Sequence, residues 1–154
     1  MRYGELATCA REFVGNVQGP SLDMMGTSLE LLKYEGLIEP IVGEGMTDDA
    51  EMAVTVEGKE TCLSLLQSPI RTSPTDLNRL VIALKFRFIH LLELDAQKAQ
   101  ADQIIDAYAR ERERLAAMRA HPTAEQGHLG DWLDHDAALL DERLLWLKAF
   151  RKNL

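Results

Sequence analysis

The most constraining feature of this sequence is the order of short elements between Gly26 and Leu66. The stretch begins with GTSLELLKYEGLIEP and ends with MAVTVEGKETCLSLL. The first run predicts a helix that stops at Gly36 and leads into a β-prone segment. The second run predicts a strand and then a new helix. Few compact arrangements accommodate a helix, a strand, a loop, a second strand and a helix in so short a distance.

The two strands are predicted at residues 37–42 and 52–56, on either side of the loop GEGMTDD. Two glycines and two aspartates suit the tip of a hairpin. Thr55 can cap the next helix, which runs through Cys62 and ends at Ser68-Pro69. The hairpin is therefore predicted to form a wing beside the helices.

Two short helices are predicted ahead of this hairpin. Apolar residues at helical spacing predict the first helix over residues 5–14, with stop signals at Gly15 and at Gly19-Pro20. Ser21 is the predicted N-cap of the second helix, which ends near Tyr34. Two helices joined by a Gly/Pro-containing turn form a helix-turn-helix. Together with the hairpin, they predict a winged helix-turn-helix.

The clearest boundary in the chain is SPIRTSP, residues 68–74, which contains two prolines. Beyond it, apolar residues three and four apart predict three helices, of which the second starts at Asp95 and the third is capped by Asp131. We therefore predict a winged helix-turn-helix domain over residues 1–69 and a helical domain over residues 70–154. The predicted fold class is mainly α with a small β-wing.

The apolar stripes of the C-terminal helices have two interpretations. They form an intramolecular core, or they bury part of their surface against a second copy of the chain. We favour dimerisation, because the long second helix and the last helix have few other residues to pack against. A symmetric dimer would also provide two readers for the half-sites of a DNA operator. The residues predicted at this interface are Ile104, Tyr108, Leu115, Leu139, Trp146 and Phe150.

The charge distribution runs against nucleic-acid binding by the N-terminal half. Residues 1–73 contain 5 Lys/Arg and 12 Asp/Glu, a balance of −7, whereas residues 74–154 contain 12 and 13, a balance of −1. Phosphate contacts dominate the affinity for DNA, so an acidic domain must gather its few cations on one face to bind it.

Several other functions are not expected from this sequence. It contains no GxGxxG, P-loop, HExxH or GxSxG pattern, so we predict neither an enzyme nor a cofactor. His128, Asp131 and His135 are better explained as a helix cap and polar surface than as metal ligands. Cys9 and Cys62 are predicted to be small buried side chains. No apolar run approaches the roughly 20 residues of a membrane span, and we expect a cytoplasmic protein.

Several motifs resemble the PadR family of transcriptional regulators, in particular its AphA-like branch. They are YGELA, SLDMMGTSLELLKYEGLIEP, MAVTVEGKE, LQSPIRTSPTDLNRLVIALKF and LLDERLLWLKAF. The resemblance covers almost the whole chain. It implies an N-terminal winged helix that binds operator DNA as a homodimer, most simply as a repressor, with the C-terminal helices at the dimer interface. It also implies that a small aromatic or apolar effector can modulate DNA binding.

The resemblance places the recognition helix from Ser21 to about Tyr34, with its N-terminal half toward the major groove. Hydroxyl groups can bond to phosphates or base edges, and a methyl group can contact thymine. An equally good alternative to DNA contact is that Ser21 is only an N-cap and that the other three residues of this helix half are solvated surface. The predicted DNA contacts are Ser21, Met24, Thr27 and Ser28, with Lys33, Arg11 and Lys59 on the phosphates.

Three departures from the family pattern support a second interpretation. Gly26 stands where the family usually has a tyrosine, and Asp48, Asp49 and Glu51 stand where it usually has basic residues. The YGELA match also falls where the family has completed a first helix, so either the start codon lies upstream or another surface replaces that helix. The alternative is a winged-helix protein-interaction module that has lost DNA binding and meets a basic partner.

Overall fold

The chain divides into two units, Met1–Ser68 and Pro69–Leu154. Both are largely helical, and the described part contains one two-stranded antiparallel sheet, so the predicted mainly α class with a small β-hairpin is confirmed. The computed structural model describes residues 2–18, 26–42, 50–70 and 76–154, with only the backbone at residues 14, 18, 26–28, 76 and 77.

The N-terminal unit has a helix-helix-strand-strand-helix order in its described residues. Strand β1 pairs antiparallel with β2, with Ile38 opposite Val54 and Pro40 opposite Met52. The strands begin and end within two residues of their predicted positions. The elements are α1 (Tyr3–Gln18), α2 (Gly26–Tyr34), β1 (Ile38–Val42), β2 (Glu51–Val54) and α3 (Val56–Gln67).

Helix α1 is longer than predicted and runs through Gly15 to Gln18. The prediction that Gly15 ends this helix is wrong. A glycine inside a helix costs only about 1 kcal/mol relative to alanine, which neighbouring helical residues can offset. Helices end reliably at a glycine when its backbone adopts positive φ, and among the described glycines only Gly36 and Gly127 do so.

The core of the N-terminal unit lies where α1 and α2 meet the hairpin. Tyr3 N donates a hydrogen bond to Ala50 O at 2.9 Å, which fixes the start of α1 beside the start of β2. The apolar side of α1 then covers the buried face of the sheet. The buried residues are Leu29, Ile38, Ala50 and Met52, with Tyr3, Leu6 and Ala7 packed against them.

The C-terminal unit consists of three helices with two short 3₁₀ turns. Helices α5 and α6 form a long antiparallel pair whose core contains Ile104, Leu133 and Leu147, each no more than 1% exposed. This pairing buries the α5 stripe within one chain. The elements are α4 (Asp76–Phe88), α5 (Leu94–Arg119) and α6 (Leu129–Asn153), with 3₁₀ turns at Ile89–Leu91 and Pro122–Glu125.

The predicted starts of α5 and α6 need correction. Glu93 and His128 occupy the N-cap positions, and Asp95 and Asp131 lie within the first turn. An acidic residue in the first turn interacts favourably with the helix dipole without capping it. The sequence pattern identified the correct turn but assigned the aspartates the wrong role.

Three ion pairs join α5 to α6 in one antiparallel register. Asp102 pairs with Arg151 at 2.9 Å, Arg112 with Asp141 at 3.0 Å, and Arg119 with Asp134 at 3.0 Å. The number of residues between successive pairs along α5 equals the number between them, in the opposite direction, along α6. The hydrogen bond from Arg151 lowers the pKa of the Asp102 carboxyl. Such exposed pairs each contribute at most about 1 kcal/mol, but their shared spacing favours a single register.

A lysine is buried in the C-terminal unit. Lys85 is only 3% exposed, and its Nζ donates a hydrogen bond to Gln100 Oε1 at 2.7 Å. Burial lowers the pKa of Lys85, because removal from water disfavours the charged ammonium. This contact gives α4 and α5 a specific polar link.

The two cysteines are not buried, contrary to the prediction. Cys9 on α1 and Cys62 on α3 are both exposed free thiols. Their helical spacing could not show which side of each helix faces the core, since both helices carry apolar residues on more than one side.

Across the described ranges, no helix is both long and apolar enough to cross a bilayer.

Candidate nucleic-acid interface

Helix α2 ends in a Schellman motif that turns the chain directly into β1. Gly36 has φ +72°, a left-handed conformation that favours glycine. Gly36 N donates to Lys33 O at 3.0 Å, and Leu37 N donates to Leu32 O at 2.8 Å. These are the two hydrogen bonds of the motif, and they satisfy carbonyl groups at the helix end. The KYEG sequence therefore fixes the direction in which the hairpin leaves α2.

Thr55 connects this turn to helix α3. Its Oγ1 accepts a hydrogen bond from Gly58 N at 2.9 Å and donates one to Gly36 O at 2.8 Å. Its backbone N–H donates to Leu37 O at 3.1 Å. The prediction that Thr55 caps α3 is confirmed. We call Gly36, Leu37, Thr55 and Gly58 the α2–α3 junction.

Gly58 completes the junction because no side chain fits there. An added Cβ would lie 2.0 Å from Leu37 O and 2.9 Å from both Leu37 C and Val54 Cγ1. The first turn of α3 therefore packs directly on the backbone between α2 and β1. This contact explains the TVEGKE sequence physically, with threonine for the cap and glycine for the close approach.

We expect Thr55→Val to lower the free energy of unfolding of the N-terminal unit by about 1 to 2 kcal/mol. The substitution keeps the side-chain shape but removes the hydroxyl that accepts from Gly58 and donates to Gly36. Thr55→Ser, which keeps the hydroxyl, should retain most of the stability. Urea denaturation followed by circular dichroism measures both. Equal losses in the two variants would contradict the capping role.

The structure describes only some of the predicted DNA contacts on α2. Ser21 and Met24 lie outside the described residues, and Thr27 and Ser28 are described by their backbone alone, in the first turn of α2. Lys33 lies in the last turn and is half-buried. The Ser21 start of the recognition helix stays a prediction, because the described part of α2 begins at Gly26.

The predicted phosphate contacts are distributed over three helices. Arg11 on α1 and Lys59 on α3 are exposed, and Arg11 Nε donates to Ala7 O of its own helix at 3.1 Å. Among the residues that the structure describes, no carboxylate forms an ion pair with Arg11, Lys33 or Lys59. As far as the described ranges show, the charges of these three side chains are therefore available for an external anion.

The described part of the N-terminal unit nevertheless remains acidic. It contains four cations (Arg2, Arg11, Lys33, Lys59) and eight carboxylates, a balance of −4. Glu51 opens β2 opposite Val42 and forms a bridge with Arg2, so it is fixed beside the start of α1. Asp48 and Asp49, the other acidic wing residues, lie outside the described ranges.

Sequence inspection overlooked two large exposed side chains on α2. Leu31 is 59% exposed and Tyr34 is 87% exposed. The apolar pattern predicts Leu29 and Leu32 on the buried side of this helix; Leu29 is buried, but Leu32 is 37% exposed. Apolar periodicity over nine residues is too short to separate a buried side from its flanks.

The six residues predicted at a dimer interface divide into three groups by their exposure. Ile104 is completely buried and Leu115 is 4% exposed, so both pack within their own chain. Leu139 is 51% exposed and Trp146 is 54% exposed. Tyr108 and Phe150 are half-buried. The intramolecular interpretation therefore fits Ile104 and Leu115, whereas Leu139 and Trp146 each keep about half of their surface exposed.

Aromatic side chains cluster where α4 meets the C-terminal half of α6. The ring centroid of Phe86 lies 5.4 Å from that of Trp146 and 5.2 Å from that of Phe150. Trp146 and Phe150 stack at 5.7 Å. Nearby along α6, the Arg143 guanidinium lies 5.1 Å from the Tyr108 ring centroid. These contacts show that the aromatic residues pack against one another within one chain.

The structure provides little support for a ligand or metal site in its described part. A cleft of about 280 Å³ lies between α5 and α6, lined by Leu115, Leu133 and Ala137. Its Arg112 and Arg119 are already paired with aspartates, which leaves no free charge to bind an effector. No group of three or more His, Cys, Asp or Glu side chains in the described ranges could hold a metal ion.

Comparison with protein families gave a match over almost the whole chain. A family model described as "Putative AphA-like transcriptional regulator" matches residues 1–151. The comparison with curated proteins gave no significant match.

Proposed function

Because this chain belongs to the AphA-like family of transcriptional regulators, we propose that it binds operator DNA as a homodimer. Each N-terminal unit would place α2 in a major groove, with the β1–β2 hairpin as a wing over the adjacent backbone. Occupancy of the operator would block transcription sterically, so the protein would act as a repressor. The C-terminal units would join the two subunits and set the distance between half-sites.

The α2–α3 junction is the observation that best supports this proposal. Its hydrogen bonds hold α2, the hairpin and α3 in one fixed arrangement, since Thr55 contacts both Gly36 and Gly58. A recognition helix must be held rigidly, because its side chains discriminate between bases only over hydrogen-bond distances. The junction meets this requirement with backbone and side-chain groups at the C-terminal end of α2.

Free cations on α1, α2 and α3 are consistent with phosphate binding. Arg11, Lys33 and Lys59 would provide three cations per subunit and six in a dimer. With about six phosphate contacts, raising the salt from 50 to 200 mM would lower the DNA affinity by roughly 10³-fold. The acidic residues near the wing oppose binding, so the proposal requires low to moderate salt for a measurable affinity.

A gel-shift titration tests the proposal. The probe is the DNA upstream of the protein's own gene, compared with a shuffled probe of equal length at about 50 mM salt. A shift at sub-micromolar protein that prefers the upstream probe supports an operator-binding regulator. No shift at micromolar protein rules out the proposed activity.

Replacing Lys33 by alanine is expected to weaken DNA binding about tenfold for every probe. Each lost phosphate contact lowers the salt slope of log K by about 0.9, so a dimer that loses two should show a slope smaller by about 2. Lys148→Ala serves as the control, because this exposed lysine lies on α6 of the C-terminal unit. A loss confined to one sequence would instead assign Lys33 a base contact, and an unchanged slope would remove it from the interface.

An effector site remains part of the family-based proposal. A small aromatic or apolar ligand would change DNA affinity by favouring one arrangement of the two subunits. The cleft between α5 and α6 is at or below the usual size of ligand pockets. A thermal-shift screen of aromatic carboxylates would reveal such a ligand by a concentration-dependent rise in Tm.

The acidic balance favours one alternative, a protein-interaction module that has lost DNA binding. With eight carboxylates against four cations in its described part, the N-terminal unit would attract a basic partner. A triple replacement of Asp48, Asp49 and Glu51 by lysine separates the two functions. A DNA-binding regulator should retain its sequence preference and gain affinity, whereas an interaction module should gain only nonspecific affinity.

A further inference from the structure

Helix α2 carries two large apolar side chains on its outward side. Leu31 is 59% exposed and Tyr34 is 87% exposed, whereas Leu29 belongs to the core of the N-terminal unit. At about 100° per residue, Leu31 and Tyr34 lie roughly 60° apart and point about 140° to 160° away from Leu29. The pair therefore belongs to the surface of the N-terminal unit and not to its core.

Two carboxylates border this apolar pair. Glu30 and Glu35 are both exposed, and their helical positions place them on opposite sides of Leu31 and Tyr34. Glu35 still follows the helical turn, since its backbone N–H donates to Leu31 O at 2.8 Å. Within the described ranges, neither carboxylate forms an ion pair. We call Glu30, Leu31, Tyr34 and Glu35 the outer face of α2.

The outer face of α2 has the arrangement of one heptad of a coiled coil. Leu31 and Tyr34 are three residues apart and correspond to positions a and d, while Glu30 and Glu35 correspond to the flanking positions g and e. In a coiled coil, the a and d side chains pack between the helices, and the charges at e and g select the partner. Carboxylates at both flanks attract a helix with Lys or Arg at its own flanks and repel an acidic one.

We propose that the outer face of α2 docks a helix of a protein partner with apolar residues at a and d and Lys or Arg at e and g. A second copy of this face is disfavoured, because the pair would bring four carboxylates together. The same two glutamates repel the phosphates of DNA, so any DNA contacts of α2 are expected from its N-terminal half. Charge complementarity therefore selects a basic protein helix as the occupant.

The α2–α3 junction holds the C-terminal end of the outer face in place. Tyr34 and Glu35 directly precede Gly36, whose carbonyl accepts a hydrogen bond from Thr55 Oγ1 at 2.8 Å. The last turn of α2 is thereby tied to the start of α3. A docking helix would meet a surface whose backbone is already ordered, which lowers the entropic cost of binding.

Fluorescence anisotropy of labelled peptides titrated with the full chain tests the docking surface. The basic probe is a three-heptad peptide with Leu at a and d, Lys at e and g, and Ala or Gln elsewhere. The acidic probe has Glu in place of each Lys. Because the contact spans one heptad, we expect a dissociation constant of about 10 to 100 μM for the basic probe, as for a small, weak interface. The acidic probe should bind at least about tenfold more weakly.

Two results of this titration would overturn the proposal. One is no binding of the basic probe at about 500 μM protein, which corresponds to an affinity too weak for a specific contact. The other is equal binding of the basic and acidic probes, since the carboxylates of the outer face would then select nothing.

Charge exchange tests whether the contact lies on α2. The double variant Glu30→Lys/Glu35→Lys should reverse the preference, so that the acidic probe binds about tenfold tighter than the basic one. Glu12→Lys/Glu60→Lys is the matched control, because it changes the net charge equally at exposed carboxylates of α1 and α3. This control should keep the wild-type preference. Reversal in both double variants would assign binding to net charge, and reversal in neither would exclude the outer face; either result overturns the proposal.

Truncation tests the apolar part of the contact. Leu31→Ala should raise the dissociation constant of the basic probe about tenfold, because it removes the side chain at position a. Leu65→Ala is the control, since Leu65 on α3 is 66% exposed, and its dissociation constant should stay within about twofold of the wild type. Alanine favours the helix at both positions, so both variants should fold, which circular dichroism checks. Equal effects of the two truncations would contradict docking on α2.

The outcomes separate this inference from the proposed function, because the peptide titrations contain no DNA. Since α2 is also the proposed recognition helix, a partner helix and DNA would exclude each other, and this consequence alone rests on the proposed function. A wild type that shifts DNA but does not distinguish the two probes would overturn the docking surface alone. Selective peptide binding without a DNA shift would overturn operator binding alone.

Discussion

Replacing Gly58 by alanine is expected to lower the free energy of unfolding of the N-terminal unit by at least about 3 kcal/mol. The new Cβ would lie 2.0 Å from Leu37 O, which is a backbone atom and cannot rotate away. To relieve the overlap, α3 must move away from the turn between α2 and β1. Overpacking usually costs about 1 to 3 kcal/mol where side chains can adjust, and more where they cannot.

The movement of α3 would also break the polar contacts of the α2–α3 junction. Gly58 N donates to Thr55 Oγ1, which in turn donates to Gly36 O. A unit of this size has only a few kcal/mol of net stability, so Gly58→Ala should leave it largely unfolded at 37 °C. Urea titration followed by circular dichroism measures the loss, and DNA affinity should fall with it.

Gly15→Ala provides a matched control for this experiment. Gly15 also lies in a helix, but a Cβ added there would meet nothing within 4 Å. Alanine should stabilise α1 by about 0.5 to 1 kcal/mol, because it restricts the unfolded chain and favours the helix. If Gly58→Ala changed the free energy of unfolding as little as Gly15→Ala, the close approach of Gly58 to Leu37 would be contradicted.

Leu147→Ala is expected to lower the free energy of unfolding of the C-terminal unit by about 3 kcal/mol. Leu147 is 1% exposed and belongs to the core between α5 and α6. Truncation removes buried apolar surface and leaves a cavity, which together cost about 2 to 5 kcal/mol for a buried leucine. The loss should not depend on protein concentration, since this core lies within one chain.

Leu145→Ala is the control for the buried position. Leu145 is the same residue type on the same helix, two positions away, but is 73% exposed. Its truncation should change the free energy of unfolding by no more than about 0.5 kcal/mol. Thermal or urea unfolding at several protein concentrations measures both variants. A similar loss of stability for the two variants would contradict the burial of Leu147 between α5 and α6.

Sequence inspection anticipated the N-terminal elements because their ends are marked by strong local signals. The glycine that ends α2 adopts positive φ, and Thr55 caps α3 through its own hydroxyl. Both signals act within a few residues, so the sequence alone reveals them. Gly15 resembles a stop signal equally well, yet α1 continues through it, because nothing local forces the left-handed conformation there.

Charge assignments at the helix starts show a second limit of sequence reasoning. Asp95 was expected to start α5 and Asp131 to cap α6, but Glu93 and His128 hold the cap positions. A carboxylate is favourable at the N-cap and throughout the first turn, so its presence indicates the turn and not the position within it. The predicted starts of α5 and α6 are therefore within three residues of the observed ones.

The order of elements, the end of α2, the cap of α3 and the family could be determined from the sequence, because they depend on local signals and on sequence motifs. Which side of each helix is covered was decided only by tertiary structure, since apolar spacing is the same for a core seam and an exposed seam. Ile104 and Leu139 look alike in the sequence, but the first is fully buried and the second is half exposed. The same holds for the stretch from Gly26 to Leu66. Its sequence specifies a helix, a hairpin and a helix, but only the fold brings Gly58 against Leu37 and holds α2 in place.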